Sequence, residues 1–263
     1  MKYGFIGCGN MGGALAKALR QSTPEILLAS RTGDTAKTLA QKLSCGCAES
    51  NEAVVSQCGC IFLGVKPQMM EKTLVPLIPA LQEKKPLLVS MAAGLTTGRI
   101  CQLAGGDIPV VRIMPNTPVA VGKGFIAYCC NELVDQDVLA ELVNDLRFSG
   151  ELGLVEEKLM DVTATVTGFG PAYMYMFLEA IADGAVACGL PREQAMRYAA
   201  ITMSGAAQMV LDTHQHPGAL KDAVCSPGGS TIEGVRALEE NGFRGTVIDA
   251  ISAAYRKNQQ LGK

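Results

Sequence analysis

Tyr3-Gly4-Phe5-Ile6-Gly7-Cys8-Gly9-Asn10-Met11-Gly12-Gly13-Ala14-Leu15-Ala16 is where the architecture first shows. A short apolar run, 3–6, leads into G-x-G-x-x-G, and small and apolar residues at helical spacing follow. The string carries information only in this strand-turn-helix setting. Each glycine then has its own duty. Gly7 permits the tight turn, Gly9 lets a pyrophosphate touch the backbone, and Gly12 lets helix and strand pack closely. The helix N-terminus faces the anion with unpaired N–H groups and the positive end of its dipole.

Working outward, apolar runs recur at 25–29, 60–65, 87–91 and 109–113, with a sixth at 125–129. They are predominantly apolar, as strands covered on both faces are. Between them, 11–21, 34–43, 51–57, 97–104 and 135–147 have helical periodicity, with Asn51 and Thr97 suited to N-caps. This alternation predicts βαβ units, and so an α/β chain that begins with a Rossmann-type, doubly wound, mostly parallel sheet. Beyond about Gly153 the strand signals stop, and helices rich in Ala, Met and Gly are predicted at 172–188, 191–213, 231–240 and 246–259. We therefore expect a Rossmann domain over 1–152 and an all-α domain over 153–263. Small residues on those helices, among them Gly184, Ala185, Gly205 and Ala206, allow close helix approach and suggest a subunit interface.

Charge narrows the partners. With 23 basic and 25 acidic residues and no runs of either, the chain has no electrostatic footprint for nucleic acid or a lipid surface. A small molecule is the expected partner. The ten cysteines form no CxxC pair and have only two histidines to join them, so they read as core thiols of a reducing, cytoplasmic compartment. Glycines interrupt the apolar N-terminal stretch, which argues against a signal peptide, and no apolar run is long enough to span a membrane. No Gly-x-Ser-x-Gly, HExxH, EF-hand or Walker A string supports hydrolase, metalloprotease or P-loop chemistry. His214 and His216 read as a solvated interhelical loop.

Four further segments are candidates for the site. After the second strand, where an NAD-specific protein would place an acid, stands Ser30-Arg31-Thr32. A guanidinium and hydroxyls suit a 2'-phosphate, favouring NADP(H), although Asp34 stands nearby. Val65-Lys66-Pro67 and Met114-Pro115-Asn116-Thr117-Pro118 follow strands, where ligands of open α/β sheets bind. The second of these suits a nicotinamide or substrate wall and equally a plain turn. Ser226-Pro227-Gly228-Gly229-Ser230-Thr231 precedes a helix. It reads either as a carboxylate site of backbone N–H groups and hydroxyls or as a helix cap with Ser230 or Thr231 as the capping residue.

Taken in order, the glycine string, Val65-Lys66-Pro67, the segment from Arg112 to Pro118, Gly170-Pro171-Ala172-Tyr173, the segment from His216 to Asp222, and Val224-Cys225-Ser226-Pro227-Gly228-Gly229-Ser230-Thr231 resemble the pyrroline-5-carboxylate reductase family over nearly the whole chain. The resemblance implies NADPH-dependent reduction of a cyclic imino acid, 1-pyrroline-5-carboxylate, to proline, with NADH at lower preference. It implies that Gly7, Gly9, Asn10, Met11 and Gly12 hold the pyrophosphate, Ser30 and Arg31 the 2'-phosphate, and Asn51 the adenosine end. Val65, Lys66, Pro67 and Asn116 would border the nicotinamide half. Ser226 and the N–H groups of Gly229, Ser230 and Thr231 would take the substrate carboxylate, with the Thr231 hydroxyl as the catalytic contact on the ring nitrogen. It also implies a homodimer made by the helical domain, open to assembly into a ring. Phe169 departs from the family, which usually has serine there. A related imine reductase or β-hydroxyacid dehydrogenase, or a non-catalytic NADPH-binding regulator, is the alternative. The second of these needs a lysine on the first long helix, and 168–187 contains neither Lys nor Arg.

Overall fold

The computed structural model describes residues 1–261, in two compact units: Met1–Phe169 with the chain from Tyr255 on, and Gly170–Ala254. In the first, β1 (Tyr3–Ile6), β2 (Ile26–Ala29), β3 (Gly46–Cys47), β4 (Cys60–Leu63), β5 (Leu87–Ser90), β6 (Val110–Pro115), β7 (Gly124–Cys130) and β8 (Gly150–Leu154) make one sheet. Its order is β3-β2-β1-β4-β5-β6-β7-β8. Every neighbouring pair is parallel except β6 and β7, which only a short turn over Thr117–Val121 separates. A connection that short cannot make the crossover a parallel pair needs.

Helices cover both faces. Side chains alternate along each strand, so Tyr3, Phe5, Leu28, Phe62 and Val89 face one way and Ile6, Leu27, Ile61, Leu63 and Leu88 the other. The first set packs against α1 (Asn10–Leu19), α2 (Asp34–Leu43) and α7 (Gln136–Asp145). The second packs against α3 (Asn51–Gln57), α4 (Met70–Leu74), α5 (Ile78–Lys84) and α6 (Thr97–Leu103). Phe5 and Phe62 stack with ring centroids 4.6 Å apart. Removing each such ring from water is worth about 1.5–3 kcal/mol, which the dry central strands collect without a polar face to satisfy. A smaller cluster, Met114, Ala127, Cys129, Met160 and Ala164, seats α8 (Met160–Thr167) on the far strands.

Several expectations shift. The strand signal runs through β8 to Leu154 and α8 belongs to the sheet, so the first unit continues to Phe169, beyond the boundary expected near 153. β8 escaped notice because its GELGL sequence is partly polar at a sheet edge. The segment 67–84 proves helical, broken into short pieces with Pro67, Pro76 and Pro79 each in a first turn, where a missing N–H does no harm. Caps fall one residue early. Ser50 Oγ accepts the Ala53 N–H at 3.2 Å and Thr96 Oγ1 the Arg99 N–H at 3.1 Å, leaving Asn51 and Thr97 as first helical residues.

The second unit contains α9 (Gly170–Ala187), α10 (Arg192–Thr213), α11 (Pro217–Ala223), α12 (Ser230–Glu240) and the first part of α13 (Phe243–Leu261). α11 went unpredicted because its cap is a histidine: His216 Nδ1 accepts the Gly218 N–H at 3.0 Å. On α9 and α10 only Gly170, Ala182, Ala195 and Ala199 are buried, whereas Tyr175, Met176, Ile201 and Leu211 lie more than half exposed. An apolar cavity of about 350 Å³ opens between these helices, walled by Phe177, Ile181, Leu190, Tyr198 and Met203. A helical unit with so little interior gains little from its own core, and so many exposed apolar side chains on two helices suit an interaction face.

All ten cysteines are free thiols. Burial pushes Cys8 and Cys129 up to about 12 and Cys58 up to about 11. The thiolate is the nucleophile, so iodoacetamide at pH 8 should label exposed Cys47 on the order of a hundredfold faster than Cys8, followed by peptide mass spectrometry; comparable rates at the two sites would contradict the packing described.

Candidate active site

The glycine loop sits at the carboxyl end of β1, where the chain leaves first toward β2 and later returns to the other side at β4. Such a switch point opens a crevice for a ligand. Gly7 has φ +98°, and a Cβ there would meet the Gly64 carbonyl oxygen at 2.7 Å. A Cβ at Gly12 would stand 2.6 Å from the Gly7 oxygen, whereas one at Gly9 would meet nothing within 4 Å. The protein itself therefore requires Gly7 and Gly12, and the space over Gly9 is open. Gly64 is a further member that the string does not include: a Cβ there would lie 2.2 Å from the Gly7 oxygen. Its only sequence signal is a glycine closing an apolar run just before Val65-Lys66-Pro67.

Gly9 caps α1 with no side-chain hydrogen bond, and the first turn, including Asn10 and Met11, carries no acid. The leading N–H groups of α1 thus have no side-chain partner, a donor set that fits a pyrophosphate. Beside the loop is an open groove of about 520 Å³ lined by Gly9, Asn10, Asp34, Thr35, Thr38 and Lys42. Ser30 Oγ accepts the Ala36 N–H at 3.0 Å and so sets the start of α2, keeping its hydroxyl proton for a ligand, while Arg31 is exposed. Asn51 opens α3 half-buried. Val65 and Pro67 are half-buried and Lys66 exposed where β4 gives way to the turn at Pro67–Met69.

Asn116 has a structural duty. Its Nδ2 donates to the Thr167 carbonyl at 3.0 Å and its Oδ1 accepts the Phe125 N–H at 3.0 Å. The buried amide thus spends one donor and one acceptor on tying β6, β7 and α8 together, and so sets the course of the loop it stands in.

In the second unit, Gly228 at φ +66° turns the chain so that the Gly229 N–H donates to the Ser226 carbonyl at 3.0 Å. That N–H, expected on the substrate carboxylate, is therefore occupied inside the loop. Gly229 is the cap residue of α12, with no side-chain cap bond. Neither Ser230 nor Thr231 acts as the cap, so the reading of this loop as a capped helix start falls away. The N–H groups of Ser230, Thr231 and Ile232 have no intrahelical acceptor by geometry. They open to solvent beside the exposed hydroxyls of Ser226, Ser230 and Thr231. Ile232 joins the donor set unforeseen, since which residues lose their acceptors depends on where the helix starts.

A family model described as pyrroline-5-carboxylate reductase dimerisation matches residues 157–261, and one described as NADP oxidoreductase, coenzyme F420-dependent, matches 2–94. A pyrroline-5-carboxylate reductase of Escherichia coli (strain K12) is 42% identical over 266 residues, spanning 100% of this chain and 98% of that protein. Among solved structures, a Streptococcus pyogenes 1-pyrroline-5-carboxylate reductase superposes with TM-score 0.90 at 34% identity, covering 99% of this chain and 98% of the other. A Plasmodium falciparum pyrroline carboxylate reductase with NADP bound gives 0.88 at 33%, covering 100% and 98%.

Proposed function

Because the chain belongs to the pyrroline-5-carboxylate reductase family, we propose that it reduces 1-pyrroline-5-carboxylate to L-proline with NADPH as reductant. The observation that carries this reading is the uncapped start of α12, with free N–H groups and hydroxyls, in a chain whose β1–α1 loop is shaped for a dinucleotide. Bound NADPH would supply the hydride. The chain's own contribution is to hold and orient. Ser230, Thr231 and Ile232 present N–H groups to the substrate carboxylate, joined by the Ser226 hydroxyl, and the helix dipole adds to their pull. The Thr231 hydroxyl meets the ring nitrogen and fixes which carbon faces the reductant, so the contribution is one of orientation.

An iminium carbon is already electrophilic, so no strong acid is needed. α9 carries neither Lys nor Arg to protonate a developing alkoxide, which favours the imine over a ketone or hydroxy acid. On the cofactor side, Gly7, Gly9, Asn10, Met11 and Gly12 hold the pyrophosphate, Ser30 and Arg31 the 2'-phosphate, Asn51 the adenosine end, and Val65, Lys66, Pro67 and the Asn116 loop the nicotinamide half. The helical unit makes a homodimer, its bare apolar face meeting a second copy, and the α12 loop of one protomer completes the site over its partner's nucleotide. Sedimentation decides whether dimers close into a ring. Free thiols throughout favour the cytoplasm.

The purified protein should oxidise NADPH rapidly with pyrroline-5-carboxylate, more slowly with NADH, and not with a 2-ketoacid. NADPH binding without turnover would leave the regulator reading standing. Arg31→Ala should raise the KM for NADPH about ten- to a hundredfold, the worth of one hydrogen bond to a charged group. NADH should barely respond. An unchanged NADPH/NADH preference removes Arg31 from the 2'-phosphate site.

A further inference from the structure

Arg112 is a charged residue in the middle of a strand, 2% exposed, and it touches none of the candidate site. Its Nη2 donates to Asp161 Oδ1 at 2.7 Å and its Nη1 lies 4.0 Å from Glu157 Oε1. Glu157 in turn accepts the Thr97 N–H at 2.6 Å and the Thr97 hydroxyl at 2.9 Å, clamping the start of α6. Three pieces of backbone are joined through one guanidinium: β6, the segment at Glu157–Leu159 leading into α8, and the N-terminus of α6, which follows β5. Two residues past Arg112, β6 runs into Met114-Pro115-Asn116, and the Asn116 amide ties that same loop to the last turn of α8. The strand that delivers the loop is thus held to the start of α8 by an ion pair at Asp161, and the loop itself to the end of α8 by a hydrogen bond at Thr167.

A single buried cation facing two carboxylates is costly to desolvate, and an apolar pair would serve stability as well or better. What it adds is direction. The planar guanidinium donates to Asp161 through Nη2 and faces Glu157 through Nη1, with its buried Nε left unpartnered, so it ties β6 to the start of α8 and, through Glu157 and Thr97, to the start of α6. Cys129, the cross-strand neighbour of Arg112, shares the enclosure, its thiol pushed up chiefly by burial, further by Glu157, and eased back by Arg112.

We propose that Arg112 is a positioning residue for hydride transfer: through Asp161 and Glu157 it holds the Met114–Pro118 loop at the angle the nicotinamide half of the site requires. The proposal rests on the reductase reading above, and turnover by the unaltered chain in the same assay separates the two. No turnover there overturns the function; normal turnover in the variant overturns only the role of Arg112.

Arg112→Lys keeps the charge and loses the planar guanidinium that reaches Asp161 and Glu157 together. With the full-length protein, NADPH and pyrroline-5-carboxylate, kcat should fall about tenfold or more, in line with the sensitivity of such reactions to small misplacements. The dissociation constant for NADPH, read by fluorescence, should stay within about twofold. With NADPH deuterated at the transferred position, the isotope effect on kcat should be at least as large as in the parent, because the chemical step is the one slowed. A folded Arg112→Lys with parental kcat, a loss lying wholly in NADPH binding, or a smaller isotope effect would each overturn the assignment. Asp161→Asn, nearly isosteric and leaving Glu157 in place, serves if the lysine variant fails to fold: kcat should fall about threefold or more at an unchanged NADPH dissociation constant, and parental turnover there refutes the proposal equally.

Discussion

Thr231→Ala should lower kcat for pyrroline-5-carboxylate about a hundredfold, the lower end of what a positioned side-chain contact with the reacting group supplies, while NADPH affinity stays within about twofold. The asymmetry follows from the structure. Thr231 is the second residue of α12, exposed, with no cap bond to lose, so the helix keeps its start without the hydroxyl. Its N–H also survives the change, so the carboxylate contact remains while the ring nitrogen loses its partner. Thr231→Ser, which keeps the hydroxyl, should restore most of the rate. Steady-state kinetics with a separate NADPH titration read both quantities. Equal losses of turnover and NADPH binding would remove Thr231 from the substrate contact.

Gly64→Ala and Gly9→Ala should fail in opposite ways. At Gly64 the new methyl would sit 2.2 Å from the Gly7 carbonyl oxygen, a backbone atom that cannot swing aside. The φ of Gly64 is not positive, so the whole penalty is steric, about 3 kcal/mol at the upper range for overpacking. For a chain of this size that is a fall in Tm of about 6–12 °C. At Gly9 the backbone is in an ordinary extended region, φ −68° and ψ −169°, and the methyl would meet nothing. The fold should keep its Tm, with the unfolded chain made slightly less free. The methyl nevertheless stands where the pyrophosphate must approach, so NADPH should no longer raise the melting temperature as a ligand of the native state does. Thermal unfolding with and without NADPH measures all four conditions. A stable Gly64→Ala, or a Gly9→Ala still stabilised by NADPH, would refute the division of labour drawn for these glycines.

The glycine loop was legible because its meaning is local: strand, turn and helix lie within a few residues of one another, and the duties of Gly7, Gly9 and Gly12 follow from that order. Gly64 was not, since its duty is toward the Gly7 carbonyl in the turn after β1, and nothing near it in the chain says so. The segment 67–84 hid its helices behind three prolines, each harmless only because it falls in a first turn. Asn116 stands out for sitting between two prolines at a strand end, but its bonds to the Thr167 carbonyl and the Phe125 N–H are set by partners that the loop sequence does not name.

Periodicity and motif order were enough for the doubly wound sheet, the helical second half, the glycine turn between β1 and α1 and the turn that opens α12, because each depends on neighbours in the chain. Tertiary structure alone decided that Arg112 is buried rather than exposed, that Gly64 stands against the Gly7 carbonyl, that the Asn116 amide donates to Thr167, and that the sheet unit reaches Phe169. Those facts turn on which distant groups arrive alongside, and a buried charge or an occupied donor is defined by its partners, which sequence spacing does not name.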